Sequence, residues 1–113
     1  MIIGIGCDLI KIRRIKNTNI SNLVNRILSE KEKDIFNNIK NEKRKYEYLS
    51  GRFAAKEAFS KALGTGIGEV KFKDIEVLNS KLGKPFINYN NFNTNLSITH
   101  TKEYALAFVV IEQ

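Results

Sequence analysis

The hydrophobic pattern of the first forty residues predicts one strand followed by helices. Residues 2–10 form a short, β-branched apolar run with two glycines, which is typical of a buried strand. A basic, aliphatic helical stretch follows, and we expect it to break near residues 17–19. Residues 29–32 match a capping box, with Ser29 at the N-cap and Glu at N3, and predict a helix that runs to about Asn38.

The longest helix is predicted between Asn41, a suitable N-cap, and Gly64, where glycine can end it. Its apolar residues recur at spacings of three and four, as a core-facing helix requires. The period then changes to that of strands, at residues 70–78, 84–89, 95–99 and 104–112. The asparagine-rich residues 90–95 indicate a surface loop. This order predicts an α+β fold in one domain, residues 1–113.

The composition is that of a globular domain, but the charge is uneven. Hydrophobic residues make up 42% of the chain and charged residues 27%, with a mean hydropathy of −0.28. The net charge of +7 belongs to residues 1–56, which carry thirteen basic and six acidic side chains, since residues 57–113 carry six of each. Residues 9–29 contain no acid and are aliphatic as well as cationic. Such a surface suits an acidic, partly apolar partner, although charge alone favours a solvated helix face.

Several classes of protein are excluded by simple patterns. The longest apolar run, residues 105–111, is far shorter than the roughly twenty residues that cross a bilayer. The apolar start has no basic leader and is followed by Asp8, which is not typical of a secretory signal. Cys7 is the single cysteine, so it forms no internal disulfide, and we interpret it as a small core residue of the first strand. We expect a cytoplasmic protein with no membrane partner.

Three glycine and histidine patterns give weak local signals. Gly4 and Gly6 do not form a dinucleotide-binding fingerprint, because the third glycine would fall at Leu9. Residues 64–68 resemble a phosphate cradle, but they follow a helix C-terminus, which favours a C-cap and a turn that a nucleotide could still approach. His100 is the only histidine, and a structural hydrogen bond is its simplest interpretation.

Two carboxylates are the strongest candidates for chemistry. Asp8 lies near the end of a predicted buried strand, where a charge is costly unless it is paired, bound to a metal or at an edge. Glu57 lies on the long helix, where an intrahelical ion pair with Lys61 is the simplest interpretation. Two carboxylates together with substrate phosphates can hold Mg²⁺. Forty-nine positions separate the two acids, however, so spacing alone does not bring them together.

Four ordered segments resemble the holo-acyl-carrier-protein synthase family, the small type of phosphopantetheinyl transferase. They are residues 3–10 (IGIGCDLI), 52–66 (RFAAKEAFSKALGTG), 72–85 with its FKDIEV and GKP motifs, and 96–101 (LSITHT). Two positions depart from the family pattern, Cys7 in place of threonine or a similar residue and Thr99 in place of serine. The resemblance implies an antiparallel sheet packed against a long central helix, with short basic helices near the N-terminus.

The resemblance also implies an activity and a set of site residues. Members transfer the phosphopantetheine arm of coenzyme A to a serine of an apo acyl carrier protein and release adenosine bisphosphate. By analogy, Asp8 and Glu57 would bind Mg²⁺, Glu57 would act as a base directly or through a metal-bound water, and Lys61 would contact phosphate. The positions that would line the coenzyme site are Arg52, Ser60, Lys61, Gly64, His100 and Thr101.

The family's small members are trimers with active sites at subunit interfaces, which the resemblance implies here too. The acidic carrier protein would dock on the basic window after Asp8, at Arg13, Arg14, Lys16 and Arg26. A nucleic-acid-binding domain is the alternative, favoured by a pI near 9.6 and by aromatic residues near lysines, but no nucleic-acid-binding signature is present. An inactive relative that only binds coenzyme A or the carrier is a third possibility, against which the intact Asp8 and Glu57 argue.

Overall fold

The computed structural model describes residues 1–64 and 70–113 and has the expected α+β fold. The helices are α1 (Ile12–Lys16), α2 (Ile20–Ile27), α3 (Glu30–Asn38) and α4 (Glu42–Leu63), and a 3₁₀ turn spans Phe72–Asp74. The strands are β1 (Ile2–Lys11), β2 (Glu76–Asn79), β3 (Pro85–Asn88), β4 (Asn93–His100) and β5 (Tyr104–Glu112). None of the helices in this described part is long and apolar enough to span a bilayer.

The strands of the described residues form two antiparallel sheets. The larger has the order β1-β5-β4, so the first and last strands of the chain are neighbours, and β2 pairs with β3 in a separate ribbon. α4 packs on the inner face of the larger sheet, where the alternating residues Ala105, Ala107 and Val109 of β5 are fully buried. Small side chains on β5 therefore let the helix lie close to the sheet.

β1 crosses α4 at Gly4 and Gly6, two positions that only glycine can occupy. A Cβ on Gly4 would lie 2.0 Å from the carbonyl oxygen of Ala62, and a Cβ on Gly6 would lie 2.0 Å from that of Ala58. Because both obstacles are helix backbone, any side chain at these positions would push the strand and the helix apart. The backbones of β1 and α4 are thus in direct contact at this crossing.

The prediction that β1 is buried on both faces is wrong, as is the core position of Cys7. The strand is two-faced, with the glycines inward and the larger side chains outward, so that Ile5 and Leu9 are 58% and 57% exposed. Cys7 lies on this outer face and is exposed. Side chains alternate along a strand, and because the inward positions hold glycine, the continuous apolar run does not reflect burial on both faces.

The predicted helix boundaries are confirmed by their caps. Ser29 and Glu32 form the reciprocal capping box at the start of α3, and the Asn41 side chain accepts a hydrogen bond from the Arg44 N–H at the start of α4. Gly64 ends α4 in the left-handed region, with φ of 80°. The basic stretch breaks before Asn19, which caps α2.

Two boundaries in the second half differ from the prediction. Residues 70–78 were predicted as one strand, but the described segment contains the 3₁₀ turn, and β2 begins only at Glu76. The asparagine-rich loop is shorter than expected, because β4 already begins at Asn93 and pairs with β5 from there. The predicted turn at residues 64–68 lies outside the described residues beyond Gly64.

Candidate active site

Asp8 and Lys61 meet where β1 leaves the glycine crossing. Asp8 lies two and four residues after the glycines, so strand alternation directs it to the same face, toward α4. The Lys61 ammonium donates to Oδ1 of Asp8 at 3.1 Å and to the carbonyl oxygen of Cys7 at 3.1 Å. The hydrogen bond to Asp8 raises the pKa of Lys61. Lys61 therefore pairs with Asp8 on the strand instead of forming the predicted intrahelical pair with Glu57.

Glu57 lies on α4 one helical turn before Lys61, beside the ion pair of Lys61 and Asp8. Its side chain is partly buried, and this burial raises the pKa of its carboxyl group. The negative charge of Asp8 raises the pKa of Glu57 further, whereas the positive charges of Lys61 and Arg14 lower it. These four charges act on one another across a strand and two helices, so the fold places Asp8 and Glu57 in one site.

The free oxygen of Asp8 makes this group a suitable place for a divalent cation. Oδ2 of Asp8 is buried and has no hydrogen-bond partner among residues 1–64 and 70–113. Within the same residues, no cluster of three or more His, Cys, Asp or Glu side chains is present. Hard carboxylate oxygens in small number, completed by substrate phosphates, are a donor set that Mg²⁺ accepts. The residues present therefore fit Mg²⁺.

Two predicted coenzyme-binding residues lie in the interior. Arg52 is 7% exposed, and burial lowers its pKa. Its guanidinium lies 4.3 Å from the centre of the Tyr48 ring and donates a hydrogen bond to Oδ1 of Asn79 on β2. Ser60 is 1% exposed, and its hydroxyl donates to the carbonyl oxygen of Lys56 at 3.0 Å. In this chain both side chains support α4 and its contact with the β2-β3 ribbon.

His100 ends β4 and lies beside the beginning of α4, and Thr101 follows it in the β4-β5 turn. Nε2 of His100 is 3.4 Å from Oε2 of Glu47, near the beginning of α4. Glu47 and Glu57 are separated by about 15 Å along the axis of α4, from the rise per residue of an α-helix. The Thr101 hydroxyl accepts hydrogen bonds from backbone N–H groups of the β4-β5 turn. The side-chain contacts of His100 and Thr101 within the described residues are therefore with Glu47 and the β4-β5 turn, and none of them joins Asp8 or Glu57.

The basic residues predicted to dock a partner are exposed on α1 and α2. They are Arg13, Arg14, Lys16 and Arg26. Arg14 is the member whose charge acts on Glu57. Arg13 and Lys16 line a cleft between α1, the beginning of α4 and the β4-β5 turn. Its other charged lining residues are of both signs, namely Lys11, Lys43, Lys102, Glu42, Glu47 and Glu103.

A buried ion pair that was not predicted from the sequence lies directly behind the site. Lys56, adjacent to Glu57, is fully buried and donates to Oε1 of Glu32 at 2.6 Å and to the carbonyl oxygen of Phe72 at 2.9 Å. Oε2 of Glu32 accepts from the N–H of Val77 at 2.9 Å. The only signal in the sequence was the place of Glu32 in the capping box, which gives no partner on α4. The pair ties α3, α4 and β2 together.

Comparisons with known proteins agree along nearly the whole chain. The model of the 4'-phosphopantetheinyl transferase superfamily matches residues 4–109. A holo-[acyl-carrier-protein] synthase of Staphylococcus haemolyticus is 56% identical, covering 100% of this chain and 98% of that protein. A Bacillus anthracis synthase solved in complex with CoA (3',5'-ADP) is 48% identical, with a TM-score of 0.92 over 98% of this chain and 96% of that one. A Neisseria meningitidis synthase is 37% identical, with a TM-score of 0.89 and full coverage of both chains.

Proposed function

This chain belongs to the 4'-phosphopantetheinyl transferase superfamily, and we propose that it transfers the phosphopantetheine arm of coenzyme A to a serine of an apo acyl carrier protein. It is an enzyme of the holo-[acyl-carrier-protein] synthase type. The second product is adenosine 3',5'-bisphosphate, and the reaction supplies holo carrier protein for fatty acid biosynthesis in the cytoplasm. Residues 1–113 act as one transferase domain.

The observation that carries the proposal is the meeting of Asp8 and Glu57 at the glycine crossing. One oxygen of Asp8 is buried without a partner among the described residues, and Glu57 lies near enough for the two charges to act on each other. Both would hold Mg²⁺, which when bound neutralises charge on the coenzyme pyrophosphate. With this pair of acids, completed by coenzyme phosphates, the transfer would depend on a divalent cation.

The chain's own side chains supply the remaining chemistry. The carrier serine bonds to the phosphorus that bears the pantetheine arm, while that phosphorus releases the oxygen that leaves on the adenosine bisphosphate. Glu57 would accept the serine proton directly or through a water molecule, the second route being favoured when its carboxylate is engaged by the metal ion. The side chain of Lys61 is 55% exposed, and its ammonium can contact a phosphate group of the coenzyme.

The rest of the coenzyme site is proposed to come from two copies of the chain. Gly64 ends α4 on the side of Lys61, and Arg52 and Ser60 hold α4 in place behind the site. His100 and Thr101 are exposed, and their side-chain contacts among the described residues are with Glu47 and the β4-β5 turn, not with the two carboxylates. We therefore assign them to the coenzyme site of a neighbouring subunit.

The outer face of the larger sheet supports an oligomer. Cross-strand pairs place Leu9 opposite Leu106 and Cys7 opposite Phe108, so these side chains form a continuous apolar stripe. Leu106 and Phe108 are 38% and 43% exposed. Soluble monomers rarely leave such a patch uncovered. We propose a homotrimer in which neighbouring copies cover this face, with active sites at the interfaces.

The acidic apo carrier protein is proposed to bind the basic surface formed by Arg13, Arg14, Lys16 and Arg26. All four side chains are exposed, and the charge of Arg14 reaches Glu57. A carrier docked on these residues would present its serine beside the two carboxylates. Complementary charge of this kind mainly speeds encounter and sets orientation.

The proposed function is tested by the mass of the carrier protein. Purified enzyme, coenzyme A, Mg²⁺ and an apo carrier should give a carrier that is heavier by one phosphopantetheine arm. Asp8→Asn keeps the shape of the side chain but removes its charge, and it should give no mass increase while the circular dichroism spectrum is unchanged. The proposal fails if a well-folded enzyme modifies no carrier protein of its source organism.

A further inference from the structure

Among the described contacts, Lys61 forms a hydrogen bond with one of the two carboxylate oxygens of Asp8 and not with the other. Its ammonium donates to Oδ1, while Oδ2 is buried and lacks a partner in the described part of the chain. The two side chains also differ in exposure, since that of Asp8 is 14% exposed and that of Lys61 is 55% exposed. A solvent-facing cation therefore neutralises a carboxylate that is largely removed from water.

This arrangement has an electrostatic consequence for any divalent cation at Asp8. A largely buried carboxylate without a positive partner is costly, and Lys61 supplies that partner. A divalent cation bound to Oδ2 would lie within a few ångströms of the ammonium and be repelled by it. Lys61 thus stabilises the empty site and weakens the binding of the metal ion.

Coenzyme A would change this balance, because its pyrophosphate offers Lys61 other negative partners. Among residues 1–64 and 70–113, two hydrogen bonds, to Asp8 and to the carbonyl oxygen of Cys7, hold the ammonium in the present position. On the basis of the function proposed above, we propose that Lys61 is a stand-in counter-ion for Asp8, which moves to the coenzyme phosphates and thereby couples the binding of coenzyme and metal. Such coupling is reciprocal, so each ligand tightens the binding of the other.

Lys61 can be replaced without undoing the strand-helix contact that forms the site. β1 is held against α4 by the backbone packing of Gly4 and Gly6 on Ala58 and Ala62, and by the pairing of β1 with β5. Loss of the Lys61 charge leaves the largely buried Asp8 without its cation at some cost in stability, but glutamine can still donate a hydrogen bond to Oδ1, and the backbone contacts that form the site are unchanged. The variant Lys61→Gln should therefore fold and remain suitable for binding measurements.

The experiment is a titration of the protein with Mn²⁺, as a spectroscopic and calorimetric substitute for Mg²⁺, with and without saturating coenzyme A and in the absence of carrier protein. In wild-type protein, coenzyme A should lower the Kd for Mn²⁺. In Lys61→Gln, Mn²⁺ alone should bind about tenfold more tightly than in wild type, since a repelling charge is removed. The tightening by coenzyme A should shrink by a similar factor, but not vanish, because its phosphates remain available to the ion.

Lys81→Gln is the matched control, because Lys81 is an exposed lysine in the turn between β2 and β3. It should reproduce the wild-type affinity and coupling. The inference is overturned if Lys61→Gln binds Mn²⁺ alone no more tightly than wild type, or if its coupling to coenzyme A equals that of wild type.

Failure of the proposed function would look different. If wild-type protein binds no Mn²⁺ with or without coenzyme A, or if Asp8→Asn binds it as well as wild type, then the metal site itself is wrong and the inference falls with it. If wild type shows the coupling and Asp8→Asn abolishes it, while Lys61→Gln behaves as wild type, only the role assigned to Lys61 is overturned.

Discussion

Glu32 of α3 and Lys56 of α4 form an ion pair at 2.6 Å in which neither side chain is exposed to solvent. Every oxygen of the Glu32 side chain is used, because Oε1 also accepts from the N–H of Ser29 and Oε2 from that of Val77. A buried pair of this kind does not by itself prove a large gain in stability, but removal of one member leaves the other charge uncompensated. The pair therefore makes the packing of α3 and β2 on α4 specific.

Lys56→Met tests this role. The change leaves the Glu32 carboxylate buried without its cation, so we expect the free energy of unfolding to fall by about 3–5 kcal/mol. Urea denaturation followed by circular dichroism measures the loss. The double variant Glu32→Gln with Lys56→Met removes both charges and should recover part of it.

The control for this prediction is Lys33→Met, which breaks the pair between Lys33 and the 90% exposed side chain of Glu30 on α3 and leaves no buried charge without a partner. It should change stability by less than about 1 kcal/mol. If Lys56→Met lowers the free energy of unfolding no more than Lys33→Met does, the buried pair does not hold α3 and β2 on α4.

Gly6→Ala should separate β1 from α4. The added methyl group would lie 2.0 Å from the Ala58 carbonyl oxygen, which is helix backbone and cannot turn away. We expect a loss of stability of about 1–3 kcal/mol or more, together with a lower kcat, because Asp8 moves away from Glu57. Thermal unfolding and the rate of carrier modification measure the two effects.

Gly51→Ala adds the same methyl group within α4 and is the matched control. Its Cβ would meet the Cγ2 methyl group of the Ile98 side chain at 3.3 Å, a contact that a shift of a few tenths of an ångström relieves. Since alanine is favoured over glycine inside a helix, this variant should be as stable as wild type and as active. Equal damage from both variants would contradict the importance of the glycine crossing.

Phe108→Asp should dissociate the proposed trimer. The substitution places a charge in the middle of the apolar stripe on the outer face of the larger sheet, where burial in an interface would cost several kcal/mol (on the order of the penalty for an unpaired buried charge). Light scattering should show the mass of a monomer. Leu82→Asp changes the more exposed Leu82, at 98%, and should leave the mass of the assembly unchanged.

Arg26→Glu should weaken carrier docking without affecting the coenzyme. Arg26 lies on α2 and is exposed, so reversal of its charge should raise KM for the carrier by roughly threefold to tenfold at low salt and leave KM for coenzyme A unchanged. Steady-state kinetics at two salt concentrations provides the measurement. An equal rise in both constants would place Arg26 outside the docking surface.

Arg14→Glu should behave differently, because the charge of Arg14 also acts on Glu57. Its reversal should raise KM for the carrier and lower kcat together, since the positive charge that favours the ionised Glu57 is lost. Lys81→Glu makes the same change on the β2-β3 turn and should alter neither constant. Comparison of the three variants thus separates docking from effects on the carboxylates.

Features set by local chemistry could be predicted from the sequence. Ser29 with Glu32, Asn41 and Gly64 define the ends of α3 and α4, because the capping groups lie within a few residues of the backbone groups that they satisfy. The two faces of β1 could not be predicted, because glycine at positions 4 and 6 gives no sign of which face meets the core.

The candidate site could not be predicted from local sequence patterns alone. Spacing left Asp8 and Glu57 unconnected, and only the resemblance to a family suggested that they meet. The partner of Lys61 was predicted on its own helix, but it is Asp8, since the direct contact of strand and helix brings a second carboxylate within reach. No sequence pattern indicated that Lys56 pairs with Glu32. Charged residues are normally solvated, and this pair joins segments that are distant in the chain.

Direct contact between the backbones of β1 and α4 has a consequence for how the enzyme can diverge. Where a strand and a helix are separated by side chains, each change of side-chain volume alters the distance between them. The functional side chains on the two elements then move relative to each other. At Gly4 and Gly6 the spacing is set by atoms that every residue shares. The interior can therefore exchange its aliphatic and aromatic residues over generations while the gap between the two carboxylates stays constant, provided that the two glycines remain.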